Sequence, residues 1–247
     1  MKMASTCLQL DVGNSSAKWR LLAAGRVRAR GNYRPGDAAS KKALLACAGQ
    51  LEQIWVSSVA SREAEDALVE LLAGRWPVTP WFASTPARTG DLRNSYREPS
   101  RMGVDRWLAM LAGRARCSDR LCVVDAGSAL TIDIVAASGR HEGGYIIPGP
   151  GLMERALLAD TGRVRFADEA DYELSPGTST AMAVRHGVAL AQVGAVALAL
   201  DRAGPAHPQL IFCGGGGEVL RSLLDRGGDY APDLVFEGLE IMAGSLD

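Results

Sequence analysis

Of the 247 residues only three are histidine and five are cysteine, and neither set has the spacing of a metal site. Cys7, Cys47, Cys117, Cys122 and Cys213 include no C-x-x-C pair. Cys117 and Cys122 bracket Ser-Asp-Arg-Leu, with no second pair or His-rich tract to complete a ligand set. An odd number of cysteines argues against a disulfide framework, and free thiols fit a reducing compartment. His141, His186 and His207 lie too far apart to form a spaced set and read as structural or surface residues. Net charge is nearly absent as well: 27 Lys and Arg stand against 28 Asp and Glu. That balance gives no electrostatic reason to expect a nucleic-acid or anionic-membrane partner. Long hydrophobic runs are also missing. The most lipid-like stretch, Gly187 to Leu200, is interrupted by Gln192 and is shorter than the ~20 residues of a membrane span. The apolar run in MKMASTCLQLDV is too short for a signal peptide and leads straight into a motif. The expectation is a soluble cytoplasmic protein with no nucleic acid and no membrane among its partners.

The chain does have enough apolar residue, 47%, to build a core without staples. TCLQLDV, AKWRLLA and RVRARGN read as three strands joined by tight turns, an antiparallel meander. The period then changes. Residues 41–51 and 62–75 read as helices, with QIWVSSV a buried strand between them and PVTPWFA a further strand. Residues 85–102, rich in Arg, Pro, Ser and Asn, read as a long loop, and such loops inside compact domains are usually functional. A helix follows over 103–117. The plan then repeats: LCVVDAG, LTIDIVA and HEGGYIIPG as strands, a helix from about Leu152, a long apolar helix over 178–203, the strand QLIFCGG and a helix over 218–225, with 239–246 weakly helical. Three strands, helix, strand, helix in each half is an internal repeat of architecture. The expected halves are residues 1–117 and 118–247.

Each half opens on a strand that ends in Asp-X-Gly. The first loop is Asp11-Val12-Gly13-Asn14-Ser15-Ser16-Ala17-Lys18. A carboxylate at a strand end is placed to meet Mg²⁺, directly or through water. Gly13 admits a phosphate close to the backbone. Asn14, Ser15 and the loop N–H groups are donors, and Lys18 adds a point charge. The second loop, Asp125-Ala126-Gly127-Ser128-Ala129-Leu130-Thr131, repeats this logic 114 residues later (125 minus 11). Either loop alone also reads as a plain hairpin turn, since Asp, Gly and Asn are turn formers. Two of them suggest a triphosphate gripped from both sides. The third motif, Gly103-Val104-Asp105-Arg106, opens a helix, where the dipole favours an anion. Asp105 is a candidate acceptor for a hydroxyl proton, and Arg106 a bidentate partner for carboxylate or phosphate. The plainer alternative is an Asp suited to a helix start beside a solvated Arg.

In order and at suitable separations, DVGNSSAK, GVDRW, DAGSALT, GGYIIPG and Gly177-Thr178-Ser179-Thr180 resemble the type III pantothenate kinases, of the acetate and sugar kinase/Hsp70/actin superfamily. The resemblance implies an α/β fold of two similar ribonuclease-H-like, actin-like half-domains. Each would be a mixed five-stranded sheet with flanking helices, and the nucleotide cleft would lie between them. It implies ATP-dependent phosphorylation of pantothenate to 4′-phosphopantothenate, the first step of coenzyme A biosynthesis. Matched positions would make Asp11 to Lys18 the ATP phosphate loop, with Ser128 also contacting ATP. Asp105 would be the proton acceptor. Tyr96, Gly103, Val104, Asp105, Arg106 and Thr180 would bind pantothenate, and Asp125 a monovalent cation, K⁺ or NH₄⁺. The resemblance further implies a homodimer with the substrate site near the interface. The apolar 178–203 helix reads equally as dimer surface or core. Ser128 and Leu130 stand where threonines are common in the family, and Cys213-Gly214-Gly215-Gly216-Gly217-Glu218 replaces the usual TGG-acid turn. An accessory or regulatory protein on the same scaffold, or a kinase of another small hydroxy acid, are the alternatives.

Overall fold

A computed structural model describes residues 6–162, 164–204 and 207–245. The chain divides into two compact units. The first holds Met1–Ala87, Tyr96–Ala109 and Val235–Asp247, and the second Arg88–Ser95 and Met110–Leu234.

The first unit is built on strands β1 (Thr6–Val12), β2 (Ala17–Ala23) and β3 (Arg26–Tyr33), helix α1 (Ala38–Leu45), β4 (Gln53–Ser58), α2 (Arg62–Ala73) and β5 (Trp81–Phe82). Sheet order is β3-β2-β1-β4-β5. The meander β1–β2–β3 is antiparallel, while β4 runs parallel to β1 and β5 parallel to β4. β1 is central and covered on both faces, so even Gln9 is buried beside Cys7, Leu8, Leu10 and Val12. Ser61 caps α2, its side chain accepting from the Ala64 N–H. Leu68 and Leu72 of α2 join Leu8, Leu10, Ile54 and Val56 in one apolar cluster. α1 begins at Ala38, ahead of the expected position 41, because the Asp37 carboxylate accepts from the Ser40 N–H at 3.0 Å.

Between the sheets' sequences lie a short hairpin, β6 (Arg88–Thr89) and β7 (Leu92–Arg93), a 3₁₀ turn over Pro99–Arg101, and α3 (Val104–Arg116). The stretch expected as loop thus carries structure of its own. The chain passes between the units four times, after Ala87, Ser95, Ala109 (within α3) and Leu234.

The second unit continues with β8 (Leu121–Ala126), β9 (Ala129–Val135), β10 (His141–Pro148), α4 (Pro150–Asp160), α5 (Thr180–Arg202), β11 (Gln209–Cys213), α6 (Gly217–Leu224) and β12 (Asp229–Tyr230); α7 (Leu234–Gly244) follows. Its sheet order, β10-β9-β8-β11-β12, reproduces the first with the same sense of pairing. Each unit is therefore a mixed five-stranded sheet with helices, as the family resemblance implied. The second differs in having two helices, α4 and α5, before its fourth strand.

α5 has 23 residues and is long and apolar enough, by length and composition, to cross a membrane. The expectation drawn from Gly187 to Leu200 alone understated its length. One face of it packs into the core, while Leu190 and Leu198 on it are exposed. Val196, Ala199 and Leu200 sit in the same cluster as Cys122, Val124 and Ile132, and buried Gln192 donates Nε2–H to the Pro148 carbonyl at 2.9 Å.

α7 joins the first unit through Arg20. This residue, 4% exposed on β2, donates from Nε to Gln9 Oε1 at 2.6 Å, pairs with Glu240 and lies 4.8 Å from the Phe236 ring centroid. Arg20→Met strands Gln9 and Glu240 and is expected to cost about 2 kcal/mol, less than the ~3–5 kcal/mol of a fully buried pair because Glu240 is partly exposed. Adding Glu240→Leu should recover most of that loss, as read by urea unfolding.

Candidate active site

The first Asp-X-Gly loop is a four-residue hairpin connection. Asp11 pairs with Lys18 and Val12 with Ala17 across the β1–β2 ladder, and the Gly13 N–H closes the turn on the Ser16 carbonyl at 3.0 Å. The hairpin reading and the phosphate-loop reading thus describe one object. Asn14 and Ser15 are exposed at its tip. A cavity of about 150 Å³ runs beside it, lined by Val12 to Ala17, Tyr33, Pro35 and the α2 residues Ala64, Ala67 and Leu68. Asp11 is half-buried, and its Oδ1 accepts from Ser57 Oγ at 3.2 Å. Ser57 is wholly buried on β4, in register with Asp11. Sequence reasoning passed over it, although a serine in the apolar run QIWVSSV was a visible signal.

In the second unit, the Gly127 N–H closes its own turn on the Ala129 carbonyl at 2.9 Å, with Asp125 opposite Thr131. Two distant glycines press on this turn. A Cβ on Gly149 would stand 2.5 Å from the carbonyl oxygens of Gly127 and Ser128. A Cβ on Gly214, which has φ +79°, would stand 2.3 Å from Asp125 Oδ1. The Gly216 N–H donates to the Ala126 carbonyl at 2.9 Å. Cys213 to Gly217 therefore forms the back of the Asp125 loop, as close an approach as glycine alone permits. The Tyr230 hydroxyl donates to the Gly214 carbonyl at 3.1 Å. Burial first, then Glu218 and neighbouring acids that include Asp125, push its pKa up and keep it a donor. Ser128 is exposed on the loop. Leu130 is 0% exposed and belongs to the apolar cluster under β8 and β9, so at this position leucine serves packing. Beside the glycine turn, Ala126, Gln192, Gly215, Gly216 and Leu220 help line an apolar cavity of about 240 Å³.

The third motif lies in the first unit. Thr85 Oγ1 donates to the Met102 carbonyl at 3.0 Å, fixing the chain as it turns into α3. The Trp107 N–H then bonds the Gly103 carbonyl at 3.2 Å, the first helical bond. Asp105 folds back on the helix start, its Oδ1 accepting from the Arg106 N–H at 2.8 Å and resting over Gly103, where a Cβ would come within 2.6 Å. Val104 is buried. Arg106 is 5% exposed rather than solvated, and it donates Nη1–H to the Tyr96 hydroxyl at 2.9 Å, with Cζ 5.8 Å from that ring's centroid. Tyr96, Gly103, Val104, Asp105 and Arg106 are thus brought together, with a buried cation beside a half-buried carboxylate. Thr180, the remaining expected substrate residue, belongs to the second unit. It is the first residue of α5 after its Ser179 cap and borders an apolar cavity of about 680 Å³ with Leu152, Met153 and Val184.

Paired sheets in one repeated strand order, each opening on an Asp-X-Gly hairpin, define an α/β protein with two similar actin-like half-domains, the sugar-kinase type of fold. Solved structures agree on the fold. A Campylobacter jejuni protein described as a conserved candidate Baf family transcriptional activator aligns with TM-score 0.61 at 22% identity, covering 97% of this chain and 98% of its own. A candidate 2-dehydro-3-deoxygalactonokinase from Sinorhizobium meliloti aligns with TM-score 0.56 at 15% identity, covering 97% and 98%. Sequence comparison narrows the class. Residues 7–202 match the family model of type III pantothenate kinase. Proteins of that name from Hahella chejuensis and Cellvibrio japonicus are 38% and 36% identical, over 97% and 95% of this chain and 98% and 95% of theirs. The chain belongs to the type III pantothenate kinase family.

Proposed function

We propose that this protein transfers the γ-phosphoryl group of ATP to the terminal hydroxyl of pantothenate, giving 4′-phosphopantothenate for coenzyme A biosynthesis. The observation that carries the assignment of roles is the cluster at the start of α3: Asp105 beside a buried Arg106 that is already oriented by Tyr96. Phosphoryl transfer asks little covalent chemistry of the protein and much positioning and charge stabilisation. Arg106, with Tyr96, holds the substrate carboxylate. Asp105 receives the hydroxyl proton as the oxygen attacks phosphorus. Gly103 and Val104 shape the helix start, and Thr180 adds a hydroxyl to the substrate. The exposed hairpin Asp11 to Lys18 takes the ATP phosphates on its N–H groups, hydroxyls and Lys18, and Ser128 contributes from the second loop.

Among the described residues no three His, Cys, Asp or Glu side chains converge as a ready metal cage. One carboxylate shared with nucleotide phosphates is the usual arrangement for Mg²⁺, and Asp11 suits it. When bound, the ion supplies charge neutralisation on the phosphate oxygens. Asp125 Oδ1 and the Ala126 carbonyl both crowd Gly214, oxygen donors of the kind that fit a monovalent cation, K⁺ or NH₄⁺. The exposed Leu152, Leu157, Leu190 and Leu198 on α4 and α5 support a homodimer contact close to Thr180. Five free thiols support a cytoplasmic setting.

ADP release over a panel of hydroxyl substrates, with Mg²⁺ and K⁺ present, tests the substrate assignment. Pantothenate should be turned over well above sugars and other hydroxy acids; a preference for another member of the panel would replace it. Gly103→Ala probes the position of the base. A methyl group 2.6 Å from Asp105 Oδ1 must displace the carboxylate. The expected outcome is a kcat lowered about ten- to a hundredfold, the usual penalty for a misplaced group, with little change in thermal midpoint.

A further inference from the structure

Two side chains with no role in the chemistry above, His141 and Asp133, hold Ser95, the residue next to Tyr96. Ser95 Oγ hydrogen-bonds His141 Nδ1 at 2.8 Å, and His141 Nε2 lies 3.0 Å from Asp133 Oδ1. His141 and Asp133 are 0% and 1% exposed, whereas Ser95 is at the surface. With the Nε2 hydrogen toward the Asp133 oxygen, Nδ1 accepts from the Ser95 hydroxyl. His141 stands at a bulge in the β9–β10 ladder, a feature that re-aims side chains. The order Asp–His–Ser resembles a hydrolase triad, but an imidazole this enclosed has no route to a leaving group, so the chain of bonds serves to hold. The backbone is fastened at the same place. The Arg93 N–H donates to the Gly139 carbonyl at 2.9 Å, and Gly139, at φ +77°, lies against the Asp91 backbone, where a Cβ would approach to 2.4 Å. Arg114 Nη2 completes the clasp on Asp91 Oδ2 at 2.6 Å.

From this we infer that Asp133 and His141 are positioning residues for substrate binding. Through Ser95 they fix the main chain immediately before Tyr96, the residue whose hydroxyl meets Arg106. The inference rests on the reading that Arg106 and Tyr96 hold the substrate carboxylate. It predicts that the dyad controls affinity for the hydroxy acid and leaves ATP binding alone.

Ser95→Ala is the direct test, because Ser95 is exposed and its loss leaves the buried pair in place. Pantothenate KM, and Kd by calorimetry, should rise about five- to tenfold, as for one lost hydrogen bond, with kcat and the ATP KM within about twofold. Ser95→Thr should restore binding, and the Ser95→Ala thermal midpoint should fall by no more than about 2–4 °C, as for one hydrogen bond removed from a buried ring. Unchanged pantothenate affinity in Ser95→Ala, beside normal wild-type turnover, would overturn this inference alone. Equal weakening of ATP and pantothenate would also overturn it, since that marks a general structural effect. A wild-type protein that neither binds nor phosphorylates pantothenate would remove the kinase reading beneath it.

Discussion

Asp105→Asn is expected to lower kcat by about two to four orders of magnitude, the range for removal of a general base. The substitution is nearly isosteric. The asparagine oxygen can still accept from the Arg106 N–H, a bond of 2.8 Å with aspartate in place, so the start of α3 survives. KM for both substrates should stay close to wild type, because Arg106, Tyr96 and the Asp11 hairpin are untouched. Loss in kcat without loss in KM marks an interaction made only in the transition state. If Asp105 served only to favour the helix dipole, the change would cost about 0.3–1 kcal/mol of stability and nothing in turnover. Rapid-mix assays beside a thermal melt separate the two outcomes.

Gly238→Ala is expected to cost as much stability as the loss of Arg20. α7 crosses α3 within the first unit at this glycine, and a Cβ there would stand 2.0 Å from the Leu108 carbonyl oxygen and 2.5 Å from its carbon. Both obstacles are backbone, which no rotamer change can move. Alanine gains about 1 kcal/mol in helix propensity over glycine. Forcing two helices apart around buried Leu108 and Leu239 costs more, about 3 kcal/mol by analogy with overpacked cores. The net loss of about 2 kcal/mol should lower the thermal midpoint by roughly 4–8 °C in a chain of this size. An unchanged or raised midpoint would show that the helices separate freely.

What the sequence displayed was local. Asp11-Val12-Gly13 and Asp125-Ala126-Gly127 each sit at the end of an apolar strand, so strand, turn and carboxylate could be read together, and the doubled meander gave the repeated sheets. Gly103 to Arg106 was legible as a helix start. What escaped was set by distant contacts. β5 and β12 have two residues each, too short for any period to show. The hairpin β6–β7 is hidden in a polar run. α5 was legible at nearly full length, 178–203 against Thr180–Arg202, but not that the amide of buried Gln192 in its middle is satisfied by the Pro148 carbonyl. Gly149 and Gly214 could be marked as turn glycines, but their closeness to the Asp125 loop depends on chain segments more than twenty residues apart. Arg106 was the open case. Sequence left it between solvated arginine and ligand-binding arginine, and burial against Tyr96 removes the first alternative.

The central claim is that a hydroxyl of pantothenate receives the phosphoryl group with Asp105 taking its proton. The most direct measurement is mass spectrometry and phosphorus NMR of the product formed from ATP and pantothenate by wild type and by Asp105→Asn. The expected result is a phosphate monoester on the terminal primary hydroxyl, formed in step with ADP and nearly absent in the variant. ADP released without the ester, or ester formed equally well by Asp105→Asn, would contradict it.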